Sequence, residues 1–505
     1  MRRAALTAAR AGLLLLPLVL AFFSGGFFEG ARIVGAICAW ALLALAVLLV
    51  PGAPLPRARA ARAALVALTA LAALTWIATS WSSSPAGADQ ELELVLTYLP
   101  ALAAGAILWR ERAVARAVEP ALAGGALVVI GYGLSGRLLP GIVHLQASQR
   151  AGGRLEQPLT YWNATGALAA VGLVLCARLA GDATRPRALR IVAAAAAAPL
   201  GMGTYLSFSR GAIICMVAGL AALVAIDRTR TQLRAAAIAL GAAVLAGAAA
   251  APFGAVRALE HAHATAEGLI VFALLLAVAG AAAALQARAP AGAAPLALRA
   301  APAIAVVAVL ALVPYAAVVI AERGGSSSEA AFGATNARLS DVGGHRLRYW
   351  RVAIDVAADH PIAGAGPGAF QVEWLRRRTI DERVRNAHSL ELQTLADLGL
   401  VGLALLVAVL AATALAAAGA LRADRALAAG PAAGALTWAL HAGLDWDWEM
   451  PALTLVAIAL AGLLLCAANG TRELADEVAL EPHAHRHDDQ AEDPNLDERL
   501  GLRPA

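Results

Sequence analysis

Apolar runs broken by short polar stretches extend from the N-terminus to about residue 468. They predict helices near 11–24, 31–50, 62–80, 92–109, 117–136, 160–179, 189–205, 211–226, 235–252, 267–286, 300–320, 390–420, 428–442 and 451–468. Most approach the roughly 20 residues that carry an α-helix across a hydrocarbon layer about 30 Å thick. Arg2 and Arg3 ahead of Leu13 to Leu20 resemble the start of a signal peptide. A second apolar run after only a few residues, with no small-residue cleavage site, favours a retained first helix. The predicted fold is therefore an all-α polytopic membrane protein of about 12–14 transmembrane helices.

Composition agrees with this pattern. Of 505 residues, 60% are AVILMFWYC and 15% are charged, against about 45–50% and 25% in soluble domains. That excess excludes a soluble enzyme on a single anchor. Basic and acidic totals of 40 and 35 give a net charge of +5. Every basic residue is arginine, which reports codon bias, so no nucleic-acid partner is expected. Cys38, Cys176, Cys215 and Cys466 sit in apolar runs without paired spacing, so neither a disulfide framework nor a zinc site is expected.

The placement of arginine predicts orientation. Alternate breaks carry Arg57, Arg59 and Arg62; Arg110, Arg112 and Arg116; Arg178, Arg185, Arg187 and Arg190; Arg228, Arg230 and Arg234; Arg288 and Arg299; and Arg422 and Arg425. The intervening breaks 81–91 and 441–450 carry none. The positive-inside rule then puts both termini in the cytoplasm. Two long breaks on the outer side, 137–160 and 321–389, are arginine-rich, but long loops translocate largely regardless of charge. The expected organisation is N-terminal transmembrane helices over 1–136, a core of helices over 137–320 with outer loop 137–160, and an outer-face loop domain over 321–389. C-terminal transmembrane helices over 390–468 and a disordered acidic tail over 469–505, with His483, His485 and His487, complete it.

Three arginines fall at outer membrane boundaries: Arg154 in GGRLEQPLTYWNATG, Arg210 in SFSRGA and Arg346 in GGHRLRYW. Permanently charged guanidinium groups converging there would suit a phosphate ester. Alternatively each snorkels to the interface or pairs with Glu156, Asp341 or Asp355. Arg346 and Trp350 lie i,i+4 on a helix, and Pro361, Gly364, Gly366 and Gly368 force a turn after it, suited to anchoring the loop on the membrane. His388, Gly399 and Gly402 have the spacing of one helix face, where glycines let a neighbouring helix or lipid chain approach. The imidazole can take a proton from a sugar hydroxyl, or merely bond backbone at a helix start. In HAGLDWDWEMP, Asp445, Asp447 and Glu449 alternate with Trp446 and Trp448. The tryptophans suit an interface belt or stacking on a sugar, and Asp445 could orient His388 or an arginine.

Residues 388–402 fit H-[NSQ]-x9-G-x-x-[GTY] through His388, Ser389, Gly399 and Gly402; Arg210 stands in FSRGA; and Arg346 to Trp350 precede HPIAGAGPGAF. In this order the segments resemble the O-antigen ligase and polymerase superfamily over roughly residues 150–450. The resemblance implies a GT-C-like fold with one large outer-face loop domain in the inner (cytoplasmic) membrane. It also implies a metal-independent glycosyltransferase without a cofactor, its active site on the outer face. The donor would be a glycan on undecaprenyl diphosphate and the acceptor a glycan, glycolipid or protein hydroxyl. Arg210 and Arg346, with Arg154, would hold the diphosphate, and His388 would activate the acceptor; Asp445, Trp350 and Trp446 would orient or contact sugar. A polysaccharide polymerase or an O-linking protein oligosaccharyltransferase of the same superfamily shares these features. A transporter or flippase of lipid-linked or anionic solutes is the alternative of another class. Against transport, the informative charges gather at the outer rim and no internal repeat is present.

Overall fold

The computed structural model describes residues 1–50, 56–259, 263–289, 333–335 and 345–484, with side chains to residue 468. Helices occupy most of this chain, and no strand occurs among the described residues. In order they are α1 (Arg2–Ala21), α2 (Glu29–Leu49), α3 (Arg59–Ala78), α4 (Pro85–Leu108), α5 (Arg112–Leu138), α6 (Trp162–Gly181), α7 (Arg187–Leu206), α8 (Arg210–Ile226) and α9 (Arg230–Ala250). The short α10 (Gly254–Ala258) and α11 (Ala264–Ala287) follow. Then come α12 (Arg346–Asp359), α13 (Phe370–Arg377), α14 (Leu390–Ala423), α15 (Arg425–Ala442) and α16 (Pro451–Ala484). Eleven of the described helices are long and apolar enough to cross a membrane, and α8 is a shorter apolar helix. The protein is thus an all-α, multi-pass membrane protein. The predicted run 300–320 lies outside the described residues, and the predicted span 451–468 is the first part of a helix that continues to Ala484.

Polar breaks become helix starts because their side chains replace missing intrahelical acceptors. Ser209 accepts from Ala212 N, Thr229 from Gln232 N and Asp424 from Leu427 N. Helix α6 is buried along its whole length, and the apolar part of α16 nearly so, whereas α2, α11 and α14 turn most of their surface outward. Outward-facing apolar residues such as Leu48, Val66 and Leu415 belong against lipid. Small residues bring the central helices together. A Cβ on Gly105 of α4 would lie 3.1 Å from Gly462 Cα of α16, so alanine at either position would push the pair apart.

The arginine-rich breaks meet at one end of the bundle. Arg2 donates to the Leu49 carbonyl, Arg10 reaches Leu108 O and Glu111, and Arg112 pairs with Asp424. Arg178, 1% exposed, pairs with Asp227 at 2.8 Å and Asp182 at 3.4 Å, and donates to Ala426 O. Arg185 pairs with the buried Glu119 at 2.6 Å. This network joins α5, α6, α9 and α15 and the loops between them. The segments 139–161, 345–389 and 443–450 come together at the opposite end.

Candidate active site

The turn between α15 and α16 supplies three buried carboxylates, each with its own partners. Asp445, 0% exposed, accepts from Arg346 Nη2 at 2.8 Å, Tyr161 Oη at 2.7 Å, Asn163 Nδ2 at 2.6 Å and Trp446 N at 2.9 Å. Asp447 holds His441 Nδ1 at 2.6 Å. Glu449 accepts from Gln90 at 2.9 Å and from Asn386. Burial would push Asp445 up, but the Arg346 guanidinium and the neighbouring histidines outweigh it and hold the carboxyl below the usual range. Asp447 and Glu449 stay raised because burial dominates. Burial, with the negative charge of Asp445, likewise raises Tyr161, keeping its hydroxyl a donor.

His388 faces the same turn. It stands ahead of α14, before the N-cap Ser389, with φ 54°. Its Nδ1 lies 3.2 Å from Asn386 O, and its ring packs against Tyr349 at 5.2 Å. A proton on Nδ1 donated to that carbonyl leaves Nε2 as the basic nitrogen. Burial lowers the pKa of His388, partly countered by Asp445 and reinforced by Arg346, so the ring is neutral at pH 7. Its left-handed backbone is fixed by a chain of bonds: Ala387 N donates to Gln393 Oε1 at 2.7 Å, and Gln393 Nε2 to Asp397 at 2.7 Å. Asp397 also accepts from Gly368 N and Phe370 N, linking His388 to the glycine-rich turn.

The glycine-rich turn is built into a break in α14. Gly399 has φ 64° and ψ −164°, and the helix is interrupted there. Leu400 N and Val401 N beyond the break donate to Pro361 O and Ile362 O, while Ala365 N and Gly366 N donate to Ala396 O and Asp397 O before it. A Cβ on Gly399 would come 2.3 Å from Ile362 O. His388, Gly399 and Gly402 therefore do not share a helix face: His388 precedes the helix and Gly399 breaks it. The space at Gly399 admits the chain's own 362–364 segment rather than another helix or a lipid. At Gly402 a Cβ would meet Leu398 Cβ at 2.2 Å.

The other predicted site residues are placed as follows. Arg210 opens α8, beside Ser209 and Gly211, both close to His441. Arg154 is buried; it bonds Ala151 O and Arg150 O and stacks on Trp162 at 3.5 Å, and it is absent from the lining of the His388 cleft. Trp350 lies in an apolar cluster with Cys215, Phe370, Trp374 and Leu444, where α12 packs on α13 and α14, and it is absent from the lining of the cleft. Trp446 lines the cleft, stacked on Tyr161 at 4.1 Å; Trp448 lines it too, against Tyr98 at 4.7 Å. Both rings turn into the protein, which an interface belt would not require.

The cleft combines His388, Asn386, Ser389, Asp445, Trp446 and Glu449 with an apolar wall from Leu71, Val95, Leu398 and Leu406 of α3, α4 and α14. A polar end with the His388 imidazole and the carboxylates Glu91, Asp397, Asp445 and Glu449 thus adjoins apolar surface within the membrane-spanning bundle; Arg346, bonded to Asp445, stands beside the cleft rather than in its lining. Such a site suits an amphipathic substrate with a polar head and an apolar tail. Several contributors escaped the sequence reading, namely His441, Tyr161, Asn163, Asn386 and Asp397. The signal for Tyr161 and Asn163 was their place in TYWNATG at the start of a span, and His441 opens the motif that holds the three acids.

These features define a multi-pass helical membrane protein with an arginine, carboxylate and histidine site at one end of its bundle. Residues 261–407 match the family model of O-antigen ligases, and the match supports assignment of the chain to that family. This is a membrane glycosyltransferase-like family, and the matched segment contains Arg346, His388, Gly399 and Gly402. No curated protein matches the chain.

Proposed function

We propose that the protein transfers a glycan from a polyprenyl diphosphate, undecaprenyl diphosphate in particular, to an acceptor hydroxyl on the outer face of the inner membrane. The observation that carries this is Asp445: one buried carboxylate binds Arg346 and lines the same cleft as His388, so a cation and a base are brought to one place. Arg346, whose side chain is 28% exposed, and Arg210 at the start of α8 hold the diphosphate. The tail lies along the apolar wall from α3, α4 and α14. His388 Nε2 takes the hydroxyl proton as the acceptor oxygen attacks the anomeric carbon. The bond from that carbon to the phosphate oxygen breaks, and the electron pair leaves with the diphosphate. Direct displacement inverts the anomeric centre. Guanidinium groups meet the growing charge on the leaving group, so the chemistry is metal-independent. The arginine-rich ends of the helices lie in the cytoplasm with both termini, which puts 345–389 and 443–450 outside.

The test is replacement of Arg210, Arg346 and His388 by alanine, one at a time, in membranes where expression is confirmed. Each should abolish surface polysaccharide or glycoprotein and let lipid-linked glycan accumulate. Full transfer by all three variants would refute the assignment. Mass analysis of the accumulated lipid distinguishes ligation of a finished glycan from polymerisation or transfer to protein.

A further inference from the structure

We propose that His441 is a positioning residue for the diphosphate clamp: it fixes the start of α8, which carries Arg210, against the turn that carries Asp445. The inference rests on the function proposed above. His441 is 1% exposed at the end of α15, and its two ring nitrogens face opposite ways. Nδ1 meets Asp447, two residues after Asp445 in the same turn, at 2.6 Å. Nε2 lies 3.5 Å from Ser209 Oγ, the N-cap of α8, and a Cβ on Gly211 would sit 3.3 Å from it. Arg210 stands between these two residues.

The surrounding contacts make the connection stiff. One helical turn before His441, Thr437 fills the space beside Gly219 so closely that a Cβ there would fall 2.1 Å from its hydroxyl. Helix α8 therefore lies directly on α15 along the face formed by Thr437 and His441, and Cys215, one turn beyond Gly211, packs against Leu444 and Trp350. Asp447 is anchored in turn, since its carbonyl accepts from Thr454 Oγ1 at 2.6 Å. The imidazole thus spans from the acid turn to the N-cap, and a small side chain at 441 leaves the end of α8 without that tie. His441 touches Ser209 and the Gly211 position on either side of Arg210 and, like Arg210 itself, does not line the His388 cleft, so it acts by placing Arg210.

The test is a double-mutant cycle on the full chain in detergent, with undecaprenyl diphosphate as the probe and thermal unfolding followed in parallel. His441→Ala should weaken binding by about tenfold, the usual scale for a residue that orients a ligand-binding group. In the Arg210→Ala background the same substitution should change affinity less than about twofold, because its effect passes through Arg210. An equal loss in both backgrounds, or a lowered unfolding temperature with unchanged affinity, would overturn the proposal. If His441→Ala does not fold, His441→Asn keeps a donor for Asp447 while losing the second ring nitrogen, and must show the same non-additivity. Normal binding by both Arg210→Ala and Arg346→Ala would instead remove the clamp itself and this inference with it.

Discussion

Asp445→Asn tests the shared anchor directly. The substitution keeps the shape of the side chain and removes its charge from a fully buried position bonded to Arg346, Tyr161, Asn163 and Trp446 N. A hydrogen bond to a charged group contributes about 1.5–3 kcal/mol. If Arg346 loses its orientation by that amount in the transition state, kcat/KM falls by about 10–150-fold, since each 1.36 kcal/mol is tenfold. A second effect has a definite sign. Asp445 raises the pKa of His388 against the lowering due to burial, so removing its charge lowers that pKa further. His388 must be neutral to act as a base; the wild-type rate should therefore fall in acid below the ordinary histidine value of about 6.5. In Asp445→Asn that acid limb moves to still lower pH. The assay is initial transfer rate against pH in membranes supplied with lipid-linked donor, normalised to folded protein. A variant with full activity, or an acid limb that stays put or moves upward, would refute the link between Asp445 and the two groups it serves.

Gly399→Ala should destabilise the protein by more than the ~1–3 kcal/mol of a strained left-handed residue, because the Cβ also strikes Ile362 O, and it should reduce transfer. Thermal unfolding and the transfer assay check both. Arg178→Ala should cost about 3–5 kcal/mol by leaving Asp227 without its counter-charge and Asp182 with only Arg185 and Arg116, with little change in the KM for donor among molecules that remain folded. Trp446→Ala should raise the KM for donor more than it lowers kcat, read from steady-state kinetics; the opposite split would exclude a binding role. A reporter fused near residue 375 should be exported and one near residue 232 retained in the cytoplasm.

The helices were legible because a span is a property of consecutive residues: each predicted run within the described residues lies on a helix, overrunning its end by at most three residues. The site was legible only in part. His388 and Arg346 stood out through their spacing from glycines and a tryptophan. Yet the same spacing suggested a continuous helix face from His388 to Gly402, and a left-handed His388 with a break at Gly399 removes it. Those two conformations are set by Gln393, Asp397 and the carbonyls of Pro361 and Ile362, which no local pattern connects. Arg154 looked like Arg210 in sequence because both precede apolar helices; only packing shows Arg154 bonded within its own loop and stacked on Trp162 at the start of α6. The alternation of acids and tryptophans at 445–449 resembled an interface belt. The turn sends each carboxylate to a different partner and sets both half-buried rings against tyrosines, Trp446 on Tyr161 and Trp448 on Tyr98.

The interruption at Gly399 leaves α14 with two halves that answer to different surroundings. Residues 396–401, on both sides of the glycine, are stitched to the 361–366 segment, while most of the remainder, 402–423, presents apolar surface outward. A bilayer that thickens or thins shifts the tilt of lipid-facing helices. In this protein the bonds on both sides of the glycine pin that part of the helix to the 361–366 segment, so such a tilt is passed to the glycine-rich turn and, through Asp397 and Gln393, to the backbone beside His388.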